Sequence, residues 1–574
     1  IMKNLVKISL VLAAAALTLS GCNCFKKMGK KQDEVTYSCT PKVLTLNNGV
    51  VSADITVNFP AAYFNKKATL RLTPVIVFEG GEVAGTPKYV QGEKVNDNYT
   101  VISADNGGTY TQHVEFPYDD RMEQSELRVL IESKCNGASE YVMFNAATGK
   151  PVTKEEAAVL ANPKSAEAMA LRAQCGVFIA EGVNTMQKDF NFGDAAATAA
   201  NNYKRTTNRV DKAEILYKIN SSVVNQKALK ENEQLSEFEK TAVANKENDR
   251  IAQSLYVNGY ASPDGPEKFN DKLASARSET GRKAVEKILA EYGFNIDAAG
   301  YGEDWEGFKE MVEKSNIQDK DLILQVLSMY DSSAERENQI KEDVLPKLRR
   351  AQRVNNMEIT GKSDAEMQAL VNSGKLDELN NEELLHVATL IEDNAVKAKV
   401  LEYAAKKYDD SRAYTNLGAA YLQMGDADKA LAALTQAVKL GGNTQELNSN
   451  LALANLAAGN VDEAKKYAAA ADAQTKSLIA AAQGQYGDAA AKLKGYNAAV
   501  AAVMNNDLSA AKKALAGENS ADADYLRAVI ATKEGDMKTA GAQLKAAVAK
   551  DSALVKKASK DVNLKPLFKS GFKF

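Results

Sequence analysis

Residues 414–437 carry a spacing that leaves few folds open. Tyr414, Leu417, Gly418, Tyr421, Ala430, Leu434 and Ala437 set large against small residues at helical intervals. The Gly425-Asp426 pair recurs as Gly459-Asn460 at a period of 34, with Leu451, Ala452 and Ala464 in register. A period of that length signals a helical hairpin stacked on copies of itself, because one hairpin cannot bury its apolar faces alone. Small residues at Gly418 and Ala430 let two antiparallel helices approach, while Tyr421 and Leu434 fill the space beside them. The turn signature continues through Gly484 with Ala489, Asn506 with Ala511 and Gly535 with Ala540, at spacings shorter than 34, which predicts trimmed later units. An earlier unit lies at Asp393 and Ala398. Five or six hairpins are expected over residues 382–550, with residues 564–574 as a cap.

This spacing resembles the tetratricopeptide repeat. The resemblance implies an α-solenoid over residues 363–574 that offers surfaces to protein partners and brings no chemistry of its own.

The opposite end reads as an address. Lys3 and Lys7 precede an uncharged apolar run over residues 8–19, too short to span a bilayer, which predicts a signal peptide over 1–21. Leu19-Ser20-Gly21-Cys22 resembles the lipobox of bacterial lipoproteins. That resemblance implies cleavage before Cys22 and a diacylglyceryl group on its thiol, each buried CH₂ contributing about 0.8 kcal/mol to anchorage. No later apolar run is long enough to span a membrane. Residues 22–36, with Lys26, Lys27, Lys30 and Lys31, read as a polar tether.

Residues 37–150 change to short alternating runs at 43–46, 51–59, 68–78, 99–104, 110–116 and 127–132. Asn47-Asn48-Gly49, Gly80-Gly81 and Asn106-Gly107-Gly108 punctuate them with residues that tolerate positive φ. An antiparallel β-sandwich is expected here, as a binding or spacer module. Besides Cys22, the cysteines are Cys24, Cys39, Cys135 and Cys175, and their pairing stays open; Cys39 and Cys135 bracket the sandwich and are one candidate bridge. Residues 151–212 are mixed, with a short helix after Thr153 and a strand near Phe178-Ile179.

Residues 213–362 hold a strand ending in Gly259-Tyr260-Ala261-Ser262-Pro263-Asp264-Gly265, then an amphipathic helix with Asn270, Leu273 and Arg277. Ala299-Gly300-Tyr301-Gly302-Glu303 follows, and Arg349-Arg350-Ala351-Gln352-Arg353-Val354 leads into a last strand at 357–360, with an opening strand at 213–219. This pattern resembles the OmpA C-terminal domain, which implies an α/β sandwich that binds peptidoglycan. In that family an aspartate and an arginine 15 positions later clamp the diaminopimelate of the stem peptide. The resemblance places the arginine at Arg277 and the aspartate at Ser262, which cannot neutralise an ammonium group; Asp264 stands nearby beyond Pro263. Two readings of Arg277 stay open: a ligand clamp, or a partner for a carboxylate beside its own helix. An insertion at about 304–347 carries Trp305, the sole tryptophan, expected as a packing anchor. The Ser-Pro-Asp-Gly turn and the Gly-Glu-Asp-Trp sequence are similar to an OmpA-like subgroup of Bacteroides-type bacteria, often lipoproteins or fimbria-associated. Outer-membrane residence follows from that resemblance.

A net charge of −3 argues against nucleic acid as the main partner. With only His113 and His386, a zinc site or a His-based triad has no support, and no phosphate loop or nucleophile elbow is visible. The expected fold is therefore multidomain: β-sandwich, central α/β OmpA-like domain with a helical insertion, and C-terminal α-solenoid. The expected function is a non-enzymatic, lipid-anchored outer-membrane scaffold without a cofactor, facing the periplasm, binding protein partners through its repeats and peptidoglycan through Arg277, Ser262, Asp264 and Asn270. The alternative is an accessory or assembly factor of a fimbrial or secretion apparatus whose OmpA-like fold no longer binds the wall.

Overall fold

The computed structural model describes residues 28–135, 137–162, 165–317, 320–325 and 340–574. The signal peptide, the lipobox and Cys22 lie outside the described residues. The chain divides into two compact units, residues 1–200 with 391–574, and residues 201–390. Among the described residues, no helix is long and apolar enough to cross a membrane.

In the first unit, β1 (Thr36–Asn47) and β2 (Val50–Phe59) are joined by Asn48 and Gly49, both at positive φ. That turn matches the twist of the strands it connects. Along β2 the residues Val51, Ala53, Ile55, Val57 and Phe59 are buried and their neighbours are not, the period of a strand with one face in a core. β3 (Ala68–Phe78), β4 (Gly108–Pro117) and β5 (Ser125–Cys135) complete the main strands. One sheet contains β1, β2 and β4 and the other is built on β3 and β5; Leu44, Val57, Leu70, Ile76, Phe116 and Val129 share the core between them.

Two segments that the sequence assigns elsewhere join this sandwich. β6 (Gly176–Glu181) pairs antiparallel with β5, and β7 (Val183–Asn184) pairs parallel with β1. The tether is also shorter than expected, because Met28 and Val35 are buried in the same core. Cys39 is a free, buried thiol and does not bridge to Cys135. Cys135 is disulfide-bonded, and Cys175 is a free, buried thiol.

The C-terminal part of the first unit is helical: α1 (Asn394–Tyr408), then the hairpins α2 (Ser411–Gln423) with α3 (Ala427–Lys439), α4 (Gln445–Ala457) with α5 (Val461–Tyr467), α6 (Ala473–Ala482) with α7 (Tyr486–Lys492), α8 (Gly495–Met504) with α9 (Leu508–Ala514), and α10 (Ala521–Glu534) with α11 (Met537–Lys550). These are the stacked hairpins that the recurring turn-and-alanine spacing predicts. Gly425, Gly459, Gly484, Asn506 and Gly535 all adopt positive φ at the turns, and Ala430, Ala464, Ala489, Ala511 and Ala540 are all fully buried. α12 (Leu554–Lys560) and α13 (Lys565–Lys569) follow, and Phe568, Phe572 and Phe574 cluster at the end of the stack, as expected of a cap. Residues 363–390, read from sequence with the repeats, belong to the second unit.

The second unit is a four-stranded sheet of β8 (Thr206–Leu216), β9 (Ile251–Ala261), β10 (Ile296–Glu303) and β11 (Arg350–Thr360), in the order β8-β11-β9-β10. Helices Glu233–Lys246 and Glu267–Leu289 pack on it through Leu235, Phe238, Val285 and Leu289 against Ala213, Ile215, Leu255 and Val257. The insertion has its own small core of Phe308, Val312, Ile317, Ile340, Val344, Leu345 and Leu348. Trp305 is not its anchor. The side chain of Asp304 caps the helix Trp305–Lys314 through the Gly307 N–H at 2.9 Å, and Trp305, the first helical residue, stays 42% exposed with its indole N–H on Glu303.

Candidate interaction sites

The turn after β9 was the sequence-predicted ligand site, and the structure brings three of its four residues together. Ser262 donates to Asp264, and Asn270 donates from its amide to the carbonyl oxygens of Ser262 and Gly265 at 3.2 Å and to Glu303 at 2.9 Å. Asn270 is thereby consumed in holding the turn to its helix and to the end of β10. The cation at this turn is Arg349, whose Nε lies 3.2 Å from the Ser262 hydroxyl and whose Nη2 lies 3.3 Å from Asp264. Arg349 sits in the twin-arginine run before β11, where sequence alone does not tell which arginine faces the turn.

Arg277 points elsewhere, and this corrects both readings of it. It is 1% exposed, and its guanidinium donates to three main-chain carbonyls: Ser221 at 3.0 Å, Tyr260 at 2.9 Å and Lys218 at 3.2 Å. Burial draws its pKa down to about 10, which leaves it charged at neutral pH. Among the described residues it pairs with no carboxylate, and all three of its bonds are internal; it ties the end of β9 to the loop after β8. At the start of β11, Arg350 is bound by Asp304 at 2.8 Å and by Glu214, so that arginine is also internally satisfied.

A second site lies in the first unit, and no sequence motif pointed to it. After β7 the chain runs along the first helices of the hairpins. Met186 and Phe190 are buried in the solenoid core, and the Gln187 amide donates to the Ala482 carbonyl at 2.8 Å. Three asparagines then each hold both main-chain groups of one residue. Asn497 accepts from the Asn191 N–H and donates to its carbonyl, both at 2.8 Å. Asn450 does the same to Ala197 at 2.8 and 2.7 Å, and Asn416 to Ala199 at 2.7 and 3.1 Å.

The asparagines share one place in the repeat, nine residues before the positive-φ turn residue at Gly425, Gly459 and Asn506. Thr475 and Leu526 occupy that place before Gly484 and Gly535. The signal was therefore present in the sequence as a recurring asparagine on alanine-rich helices, where asparagine is a poor helix former and earns its place through its side chain. Near the start of the segment Asp189 meets Lys557 at 2.7 Å. Burial raises its pKa to about 6 even against that cation.

No family model matches the chain, and no curated protein does. Among solved structures it is similar to a tetratricopeptide repeat protein from Parabacteroides merdae, at 14% identity and a TM-score of 0.28 over 36% of this chain and 91% of that one. It is also similar to the APC/C hetero-tetramer Cut9-Hcn1, at 15% identity and a TM-score of 0.28 over 37% of this chain and 48% of that one.

Proposed function

We propose that this chain is a non-enzymatic interaction scaffold of the cell envelope, held to the outer membrane on its periplasmic side by lipid on Cys22. What carries the scaffold reading is the stack of helical hairpins with a face that grips a non-repetitive segment of polypeptide by its amides. Repeats of this kind present large surfaces to other proteins. Crosslinking of the membrane-bound protein followed by isolation of its adducts tests this; recovery of the uncrosslinked chain alone under conditions that capture a known neighbour would sink it. The anchor is tested separately, since Cys22→Ala should abolish fatty-acid labelling and move the protein out of the membrane fraction.

For the α/β unit, the reading that includes the wall places a stem-peptide ammonium at Asp264 and its carboxylate at Arg349, because Arg277 is enclosed. Sedimentation of the lipid-free protein with peptidoglycan, lost in Arg349→Ala, is the expected result. The burial of Arg277 favours the second reading, an accessory or assembly factor of a fimbrial or secretion apparatus without wall affinity. Absence of co-sedimentation by the unaltered protein decides for it.

A further inference from the structure

Residues 185–200 belong to no sheet; they hold two short 3-10 turns, Met186–Asp189 and Gly193–Ala195, with irregular chain between and after them, and yet the main chain is paired at Asn191, Ala197 and Ala199. The partners are side chains: Asn497, Asn450 and Asn416 meet the segment in reverse order, so it runs against the direction of the repeats. Contacts of this kind read main chain and tolerate any side chains that fit the space, as strand addition does at a sheet edge. The space here is tight. A Cβ on Gly193 would stand 2.8 Å from the Cα of Gln423 and the carbonyl oxygen of Leu422, and the residues that follow are Ala195, Ala196, Ala197 and Ala199. Both ends are fixed within the same unit, at Asn184 to Asn563 (3.0 Å) and at Ala199 to Asn416.

We propose that residues 185–200 are a tethered ligand: the amide-reading face of the solenoid is a peptide groove, filled in cis by this chain, locking the sandwich to the repeats and closed to partners while the segment is seated. Tethering gives the segment an effective concentration in the millimolar range, so a free peptide with the same hydrogen bonds does not displace it at cellular concentrations. A protein partner therefore docks on another face of the solenoid, or brings contacts beyond this groove. The inference stands whether or not the chain is anchored to a membrane.

The test uses the full chain. Hydrogen exchange of the Asn191, Ala197 and Ala199 amides should be protected in the unaltered protein and faster on the order of tenfold in the matching Asn497→Ala, Asn450→Ala and Asn416→Ala variants. A labelled synthetic peptide of residues 185–200 should bind a full chain whose own residues 190–200 are replaced by a Gly-Ser run of equal length, and should not bind the unaltered chain. Equal binding to both chains, or to neither, overturns the proposal. If the replaced chain does not fold, exchange decides alone: unprotected amides in the unaltered protein, or rates unmoved by the asparagine variants, overturn it.

Discussion

Replacing Asn416 by alanine isolates what one amide clamp contributes. The side chain is 4% exposed and its partner Ala199 is 6% exposed, so water does not readily reach the N–H and C=O that the variant leaves behind. A buried polar group without a partner costs about 1–3 kcal/mol, and two such groups with some relaxation of the segment set the loss at roughly 2–4 kcal/mol. Asn497 makes the same pair of bonds to Asn191, which is an exposed residue although Phe190 before it is buried. There water replaces the lost partner, and Asn497→Ala should cost no more than about 1 kcal/mol. Asn450 should fall between them. Asn416→Asp sharpens the argument, because the new side chain keeps an acceptor for the Ala199 N–H but sets a carboxylate oxygen against the Ala199 carbonyl. Its deficit at neutral pH should match or exceed that of alanine and shrink on acidification, as protonation restores a donor. Urea denaturation followed by circular dichroism measures all four. Equal costs at Asn416 and Asn497 would refute the reasoning, because burial is the only difference invoked.

Gly418→Ala gains about 1 kcal/mol of helix propensity, but its Cβ would lie 2.5 Å from Leu434, a clash expected to cost about 1–3 kcal/mol; a thermal melt should show net destabilisation, and a rise in Tm would mean the helices can move apart freely. Arg277→Lys keeps the charge but cannot span the carbonyls of Ser221, Tyr260 and Lys218; the second unit should lose about 2–4 kcal/mol in denaturant melts while any co-sedimentation with peptidoglycan, measured below the transition, stays unchanged. Asp189 titrates near 6 in the folded protein against an ordinary 3.8, because burial penalises its charge. Between those values the folded state holds a proton that the unfolded chain gives up, so stability falls as pH rises through the window, by on the order of 2–3 kcal/mol in full above it. Asp189→Asn should therefore be more stable than the unaltered protein at pH 7.5 and lose that advantage by pH 4; an advantage independent of pH would show that the carboxyl is not desolvated.

What was legible in the sequence was whatever neighbours decide. The alternation in β2, the Asn48-Gly49 turn and the recurring turn-and-alanine spacing each rest on contacts a few residues apart, and each appears in the structure where the pattern placed it. Strands β6 and β7 were harder, because their pairing partners at Val129 and Leu44 lie far away in the chain. Spacing put Arg277 on the expected helix and could not say that carbonyls from the loop after β8 and from the end of β9 would enclose it. Trp305 misled for a local reason: as the first residue of a capped helix it faces outward, while Phe308 and Val312, on the inward stripe, carry the packing.

The segment 185–200 was the least legible part, and the cause is physical. A helix or a sheet strand announces itself by periodicity because its amides are paired within a regular lattice, leaving the side chains to alternate between core and solvent. Here the amides are paired by Asn416, Asn450 and Asn497, more than two hundred residues further along the chain, so nothing obliges the segment's own side chains to repeat. The regularity moved to the other partner. It survives as one asparagine at a fixed distance from successive turns, and it lapses at Thr475. The segment touches the hairpin that carries Thr475 through the Gln187 amide on the Ala482 carbonyl, a contact made by a side chain of the segment and outside the asparagine series. A polar residue that recurs at one helical position in an alanine-rich repeat is thus evidence about the conformation of some other stretch of chain, and in this protein that stretch is its own.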